Sequence, residues 1–439
     1  MTVAVPRADA RACLDAALAA VDPAGLVARR LRRDGDALVL ADASGREFGR
    51  HDGPVLVVGA GKAALAMGRA AATAAGDACS GGRLIVPHGG AGPCPGGVAV
   101  ATGSHPVPDD AGAAATAELL ELVGRADERT LVVAVLSGGA SALLVAPAAG
   151  VGLADKQAVT AALLAAGAPI DALNLVRRHC SRVKGGGLAR AAARAAGLWA
   201  LLLSDVVGDD PAVIASGPAS PDPTTFADAV AVLARHLAPR DVPPAVVSHL
   251  ARGAAGEVAD TVKPGDPLLA RVRSVVVGGN RTAVAAAAEA AMARGYAVEV
   301  VAEPVVGDAA EAGRALAGRA LALPPGGALV AGGETTVRAR GGSGGRAQHL
   351  ALAAAVELAG SRIVLLAAGT DGVDGPTDAA GACVDGETVA RARAAGCDPG
   401  EALAATDSHG LFARTGDLVR SGPTGTNVAD VVVALRPAW

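Results

Sequence analysis

Short apolar runs alternate with alanine-rich segments along most of the chain. The first runs lie at residues 55–58, 84–86, 131–136 and 198–203. A continuous apolar run between turn residues is typical of a parallel strand covered on both faces. The intervening segments, such as 63–75, have the composition and length of helices. The pattern predicts a Rossmann-like parallel sheet with helices on both faces.

A second series of apolar runs follows, at residues 274–277, 298–301, 328–330, 363–366 and 431–433. The stretch between the two series is rich in proline, with a short helix predicted near 245–250. We place the domain junction there. The prediction is a two-domain α/β protein, with a larger N-terminal domain at 1–255 and a smaller C-terminal α/β domain at 256–439.

Composition and charge exclude several classes of protein. Apolar residues make up 51% of the chain, aromatic residues only 1%, and the formal net charge is −4. Base-stacking platforms and basic patches for nucleic acid are therefore not expected. No uncharged apolar stretch approaches the length of about 18 residues that suggests a membrane span. Six scattered cysteines without a CxxC pair, and charges at Asp9, Arg11 and Asp15 where a secretory signal would be apolar, predict a cytoplasmic protein.

The loop after the first apolar run contains Gly59, Gly61 and Lys62 and opens a helix. A helix N-terminus attracts anions. A dinucleotide site would need an acidic residue after the next strand, where proline and histidine stand, and a Walker loop would need Ser or Thr where Ala63 stands. Lys62 opposes the helix dipole, so we expect it to meet an anion; a solvated lysine is the alternative.

Two more glycine-containing loops lie in this half of the chain. The candidate substrate- or nucleotide-binding residues in them are Ser137, Gly138, Gly139, Ser141 and Lys184. Glycines allow backbone N–H groups to approach a phosphate, and serines add hydroxyl groups. The alternatives are a plain strand-to-helix turn at the serines, and a solvated helix face for the cations that precede Lys184.

Asp205, Asp209 and Asp210 follow the run at 198–203. Carboxylates this close repel each other unless a cation lies among them or one of them acts as a base. Mg²⁺ commonly uses one or two carboxylates together with phosphate oxygens, which suits ATP chemistry. We predict Asp205 as a catalytic residue and Asp209 and Asp210 as metal ligands. Which of them is the base stays open, as does helix capping by Asp209 or Asp210.

The second half of the chain adds candidate binding residues at Glu334, Asp371 and Asn427. Arg346 ends a glycine-rich loop and opens a helix, as Lys62 does. Two cations from different predicted domains, glycine cradles and acidic turns are the components of phosphoryl transfer. Lys62 and Arg346 are therefore predicted to be catalytic.

The loops occur in an order that resembles the glycerate 2-kinases with a C-terminal MOFRL domain. The matching segments are 59–64, 105–109, 137–143, 203–218, 221–225, 332–336, 369–379 and 422–427. The resemblance covers nearly the whole chain. It implies ATP-dependent phosphorylation of D-glycerate at the 2-hydroxyl group, with a divalent metal, in a cleft between two α/β domains. It also implies functional roles for Lys62 and Arg346, and a MOFRL-like region at about 326–435.

The chain departs from that family at three positions near the predicted site. The family usually has Asn-Gln-Glu after the arginine, whereas this chain has Ala347, Gln348 and His349. Another asparagine usually follows the Asn-Val pair at 427–428, where Ala429 stands. These changes leave the basic chemistry intact but bear on polar contacts near Arg346, and hence on substrate preference and rate.

Two alternative functions stay open. Family members are often labelled hydroxypyruvate reductases, but the missing acidic residue after residue 86 counts against a nicotinamide cofactor. A non-catalytic metabolite-binding protein is the second alternative, and the acidic turn at 205–210 counts against it. We expect small-molecule partners, glycerate and ATP with Mg²⁺, and neither nucleic acid nor membrane. The sequence is compatible with a homo-oligomer.

Overall fold

The computed structural model describes residues 4–438, which divide into two compact units. The N-terminal unit comprises Pro23–Ser204 and Gly208–Val277. The C-terminal unit comprises residues 4–22, 205–207 and 278–438, so helix α1 (Ala4–Ala20) belongs to it although it begins the chain. The chain therefore passes between the units more often than a single junction at residue 255 would allow. The domain limits given above stay a prediction.

The N-terminal unit contains a six-stranded sheet and a separate three-stranded one. Its elements are α2 (Pro23–Arg30), β1 (Leu31–Asp34), β2 (Ala37–Ala41), β3 (Glu47–His51), β4 (Val55–Ala60), α3 (Ala64–Ala75), β5 (Cys79–Pro87), β6 (Val98–Gly103), α4 (Asp110–Gly124), β7 (Leu131–Leu136), α5 (Ala140–Leu143), α6 (Leu153–Ala165), α7 (Ile170–His179), α8 (Gly187–Ala191), β8 (Gly197–Leu203), α9 (Phe226–His236), α10 (Pro244–Ala254) and β9 (Val272–Gly278).

The larger sheet has the strand order β6-β5-β4-β7-β8-β9. Strand β4 pairs in parallel with β5 and β7, and the outer pairs β5–β6 and β7–β8 are also parallel. Strands β4, β7 and β8 are buried along their whole length, as continuous apolar runs require. The predicted parallel sheet is therefore confirmed. Strand β9 is the edge strand of this first sheet, although the sequence pattern assigned it to the second series. The assignment was wrong because an apolar run does not reveal which sheet it joins.

The C-terminal unit has a mixed sheet. Besides α1, its elements are α11 (Asn280–Met292), β10 (Ala297–Val300), β11 (Val305–Asp308), α12 (Ala309–Ala322), β12 (Gly327–Thr336), α13 (Arg346–Glu357), β13 (Val364–Gly369), β14 (Gly381–Asp385), α14 (Thr388–Ala394), α15 (Pro399–Ala405), α16 (Ser408–Thr415), β15 (Leu418–Val419) and β16 (Asp430–Leu435).

Strand order in this sheet is β10-β12-β16-β13-β14-β15, with β11 also paired to β12. The last long strand, β16, runs antiparallel to both β12 and β13 and inserts between them. Helices α12 and α13 pack so closely that a Cβ on Gly313 would clash with the carbonyl of Leu350. Small residues permit this close approach. Among the described residues, no helix is long and apolar enough to cross a membrane.

Candidate active site

Two glycine-containing loops of the N-terminal unit lie against each other. The loop after β4 and the loop after β7 meet because these strands are parallel neighbours whose carboxyl ends share one edge of the sheet. The Lys62 N–H donates to the carbonyl of Gly138 over 2.9 Å, and the Ala63 N–H donates to Ser137 Oγ over 3.0 Å. Gly61 has a φ of 132°, and a Cβ there would clash with Ser137. Only glycine therefore fits this close contact.

The Lys62 side chain passes over the second of these loops. Gly139 has a φ of 85°, and a Cβ at this position would lie 3.5 Å from Lys62 Cγ and 3.1 Å from His105 Cδ2. The structure thus brings Lys62, Gly139 and His105 together at the carboxyl edge of the sheet. Backbone and cation are arranged there as a phosphate cradle requires.

Lys184 is buried and connects loops by hydrogen bonds to backbone carbonyls. Its Nζ donates to the carbonyl of Ser141 over 2.8 Å and to that of Ala215 over 3.5 Å. Burial, aided by the charges of Lys156 and Arg177, lowers the pKa of Lys184 well below its usual value. In this arrangement Lys184 positions the loop that contains Ser141. Its direct binding of a ligand stays a prediction.

The segment that follows β8, from the acidic turn to residue 216, contains strained backbone. Asp209, Ala215 and Ser216 have φ values of 56°, 55° and 63°, in the left-handed region that non-glycine residues seldom adopt. The hydroxyl groups of Ser216 and Ser141 lie 3.1 Å apart, so the segment around Ser216 lies against the β7 loop. Such strain is frequent at functional sites.

The predicted metal ligands form no acidic cage. Asp210 Oδ1 accepts a hydrogen bond from the Ala212 N–H over 2.8 Å, as expected for a capping carboxylate. Among residues 4–438, no group of three or more His, Cys, Asp or Glu side chains is arranged to hold a metal. Any Mg²⁺ at Asp209 and Asp210 would therefore need other oxygen ligands.

A second cluster of predicted residues lies in the C-terminal unit, around Arg346. This side chain forms a bidentate ion pair with Asp430, with Nε donating to Oδ2 over 2.7 Å and Nη2 to Oδ1 over 3.0 Å. Its Nη1 donates to Glu334. Asp430 begins β16 and lies opposite Gly333 of β12, which Glu334 follows along the strand. Arg346 therefore meets anions supplied by the protein itself.

Burial and ion pairing shift the pKa values of Asp430 and Arg346 in opposite directions. Burial raises the pKa of Asp430 to about 6, although the hydrogen bond and charge of Arg346 oppose the change. Burial disfavours the charged form of Arg346 and so lowers its pKa. The hydrogen bond and charge of Asp430 and the charge of Glu334 have a larger effect in the other direction, so the pKa of Arg346 lies above its usual value. At neutral pH the pair is consequently charged.

Asp374 occupies the N-terminus of α13. Its carboxylate accepts hydrogen bonds from the N–H groups of Ala347 and Gln348, over 3.1 and 2.8 Å, and from Gln348 Nε2 over 3.0 Å. Burial raises the pKa of Asp374, and the hydrogen bonds from Gln348 and Ala347 oppose this. Sequence reasoning missed both Asp374 and Asp430. The available signal was their position: Asp374 lies within the family-like segment 369–379, and Asp430 lies three residues after the segment 422–427.

The other predicted residues of this unit lie close by. A Cβ on Gly369 would lie 3.3 Å from Asp371 Oδ1 and 3.4 Å from Asp430 Oδ1. Asn427 Nδ2 donates to Asp205 Oδ2 over 3.4 Å. Both residues belong to the C-terminal unit, which includes residues 205–207. The structure thus links Asp205 to Asn427 by a hydrogen bond, and it places Asp371 close to Asp430 of the Arg346 cluster.

The structure shows the surroundings of two residues that depart from the family pattern, Ala429 and His349. Ala429 has a φ of 65°, a conformation that asparagine adopts more readily than alanine. Its N–H donates to Asn427 Oδ1 over 3.3 Å, and its carbonyl accepts from Thr370 Oγ1 over 2.7 Å. His349 is buried in α13, and burial lowers its pKa.

Comparison with known proteins identifies two matching protein families and several similar proteins. A family model described as a domain of unknown function (DUF4147) matches residues 9–251, and the MOFRL family model matches residues 327–430. The glycerate 2-kinase of Pyrococcus horikoshii is 36% identical over 428 residues, which cover 95% of this chain and 94% of that protein. An Agrobacterium vitis protein with the provisional name hydroxypyruvate reductase is 41% identical over 436 residues, covering 96% of this chain and 92% of that one.

A solved structure agrees with these matches. The crystal structure of a glycerate kinase from Thermotoga maritima superposes with a TM-score of 0.84 at 35% identity, covering 98% of this chain and 99% of the other. Fold and loops together define a two-domain α/β enzyme. The chain belongs to the glycerate kinase family, in the branch with a C-terminal MOFRL domain.

Proposed function

We propose that the protein is a glycerate 2-kinase, which transfers the γ-phosphoryl group of ATP to the 2-hydroxyl group of D-glycerate. The products are ADP and 2-phospho-D-glycerate. The observation that carries this proposal is the convergence of two glycine loops on Lys62, in a chain whose near full-length relatives include named glycerate kinases.

The glycine loops are suited to hold phosphate oxygens. Gly59 lies within β4, where it packs against the carbonyl of Val135, and Gly61 packs against Ser137. Gly139 has no side chain beside Lys62 and His105, so its backbone could approach a phosphate closely. During phosphoryl transfer, negative charge spreads over the equatorial oxygens, and a fixed cation stabilises that charge. We assign this task to Lys62. A role for Arg346 on the same phosphoryl group stays a prediction.

Mg²⁺ is part of the proposal as the partner of ATP. It binds proteins through one or two carboxylates and completes its shell with phosphate oxygens and water, so a site without a three-carboxylate cage is compatible with it. Asp209 and Asp210 are the side chains that would hold it. When bound, the ion neutralises charge on the transferring phosphate.

Asp205 is the proposed group at the reacting hydroxyl, as base or metal ligand. Asn427 donates to its carboxylate and would fix its orientation. We expect Asp205→Asn to reduce kcat by about 10²–10⁴-fold, as loss of a general base or metal ligand does. Asp209→Asn is the matched variant. Near-normal turnover in the first, with loss of activity in the second, would assign the role to Asp209 instead.

The proposal is tested by assaying purified protein with ATP and Mg²⁺ against D-glycerate and L-glycerate, following ADP formation. A parallel reaction contains hydroxypyruvate and NAD(P)H. We expect ADP formation with D-glycerate and no oxidation of NAD(P)H. Rapid NAD(P)H oxidation without ADP formation would support the reductase alternative, against which Pro87 at the end of β5 already counts. Cytoplasmic location and oligomeric state stay predictions.

A further inference from the structure

A cationic cavity lies in the N-terminal unit, between α7, α8, α9 and α10. It has a volume of about 290 Å³, and its walls include Arg178, Arg182, Arg190 and Arg252. None of the described residues that line it is Asp or Glu. Ligand sites commonly have volumes of about 300–1,000 Å³, so this cavity suits a small metabolite.

Arginines around this cavity differ in how their charge is balanced. Arg178 faces the buried Asp222 at 3.6 Å, and Arg252 pairs with Glu257 at 3.2 Å. Arg182 and Arg190 instead donate to backbone carbonyls, of Pro147 over 3.1 Å and of Asp260 over 2.6 Å. A carbonyl satisfies an N–H group but does not neutralise a guanidinium, so these two charges favour an anion.

A buried histidine in the same wall lacks a partner for one ring nitrogen. His249 is only 5% exposed, and its Nε2 lies 2.9 Å from the carbonyl of His179, to which it donates. Its Nδ1 has no hydrogen-bond partner among the described residues. A buried nitrogen left in this way is costly unless a ligand or water supplies a hydrogen bond. A hydroxyl group of a ligand would do so.

We propose that this cavity binds a small phosphate monoester that also carries a hydroxyl group, at a site separate from the loops around Lys62. Two guanidinium groups match a dianion better than a carboxylate, which one arginine can satisfy. Lys184 also lines the cavity, but its Nζ donates to the carbonyls of Ser141 and Ala215, so the proposal rests on the arginines. The inference goes beyond the proposed function and does not require it.

Isothermal titration calorimetry without ATP or Mg²⁺ tests this site, with glycerol 2-phosphate, inorganic phosphate and acetate as probes. We expect submillimolar binding of glycerol 2-phosphate, weaker binding of phosphate and none of acetate. The double variant Arg182→Ala/Arg190→Ala should weaken binding at least tenfold. Arg235→Ala/Arg240→Ala, two exposed arginines of the same unit, is the matched control and should bind within twofold of wild type.

Lys62→Ala distinguishes the cavity from the glycine loops. Binding that persists in Lys62→Ala and disappears in the Arg182/Arg190 double variant supports the cavity. Binding lost in Lys62→Ala but kept in the double variant would overturn the proposal, as would tighter binding of acetate than of phosphate or no binding of either phosphate probe at millimolar concentration. Both arginines are exposed, so folding of the double variant is not at risk.

Discussion

Helices α3 and α13 both begin beside a cation, yet their N-termini are stabilised differently. At α3, the Ala63 N–H donates to the neutral hydroxyl of Ser137, and the N-cap residue makes no side-chain capping bond. At α13, the buried carboxylate of Asp374 accepts two backbone N–H groups, and Asp430 and Glu334 pair with Arg346.

This difference teaches that a cation opposed to a helix dipole is not by itself evidence for a substrate anion. At α13 the protein supplies the anions, so Arg346 has a structural role in addition to any catalytic one. At α3 the cap is a neutral hydroxyl, and the neighbouring loop is glycine-rich backbone, so the setting of Lys62 suits an incoming phosphate better. We predict that removing Lys62 mainly affects catalysis, whereas removing Arg346 affects folding as well.

Arg346→Ala should have the largest effect on stability. It leaves the buried carboxylate of Asp430 without its partner, so the free energy of unfolding should fall by about 3–5 kcal/mol. Urea denaturation measures this. Arg319→Ala, which breaks an exposed pair with Glu299, is the control and should cost less than about 1 kcal/mol. Equal stability of the two variants would contradict the structural role given to Arg346.

Lys62→Ala should lower kcat/KM by about two orders of magnitude, equivalent to roughly 3 kcal/mol of transition-state stabilisation. Its melting temperature should stay close to that of wild type. Lys62→Arg keeps the charge but changes its geometry, and should recover part of the activity. Wild-type kinetics in folded Lys62→Ala would show that the residue is a bystander.

Asp430→Asn tests the Arg346 cluster through the pH dependence of stability. The pKa of Asp430 is raised to about 6, above the value of about 3.9 expected for the unfolded chain. The folded state therefore holds a proton that the unfolded state releases, and this contribution to stability is present below pH 4 and lost as pH rises through 6. The stability of wild type minus that of Asp430→Asn should decrease from pH 4 to 6.5 and be constant above 7. A difference that rises over this range would contradict the assignment.

Ala429→Gly should have the smallest effect and the opposite sign. Glycine relieves the left-handed conformation at φ 65°, so the free energy of unfolding should rise by about 0.5–1 kcal/mol. The same change at Ala315, exposed in α12, should instead lower it by about 1 kcal/mol. If both substitutions destabilise the protein equally, the backbone at Ala429 is not strained.

Sequence alone predicted the parallel sheet and the loops that follow its strands. Continuous apolar runs identified β4, β7 and β8, but not which of them are neighbours, and so not that Lys62 and Gly139 would meet. The resemblance to a known family supplied the activity, which glycine loops by themselves do not specify.

The Arg346 cluster was only half predictable. Arg346 and Asp430 are 84 residues apart, and they meet because β16 inserts antiparallel between two earlier strands. Chain order gives no sign of that insertion. The burial of Lys184 was missed for a related reason, since a lysine before three glycines resembles an exposed cation until its carbonyl partners are known.

The central claim is that this chain phosphorylates the 2-hydroxyl group of glycerate, and ³¹P NMR of the reaction mixture tests it most directly. With D-glycerate, ATP and Mg²⁺, we expect the resonance of 2-phosphoglycerate to grow as that of the ATP γ-phosphate disappears. The Lys62→Ala enzyme should show almost none of this product. A 3-phosphoglycerate resonance, or consumption of ATP without any phosphoester of glycerate, would contradict the account.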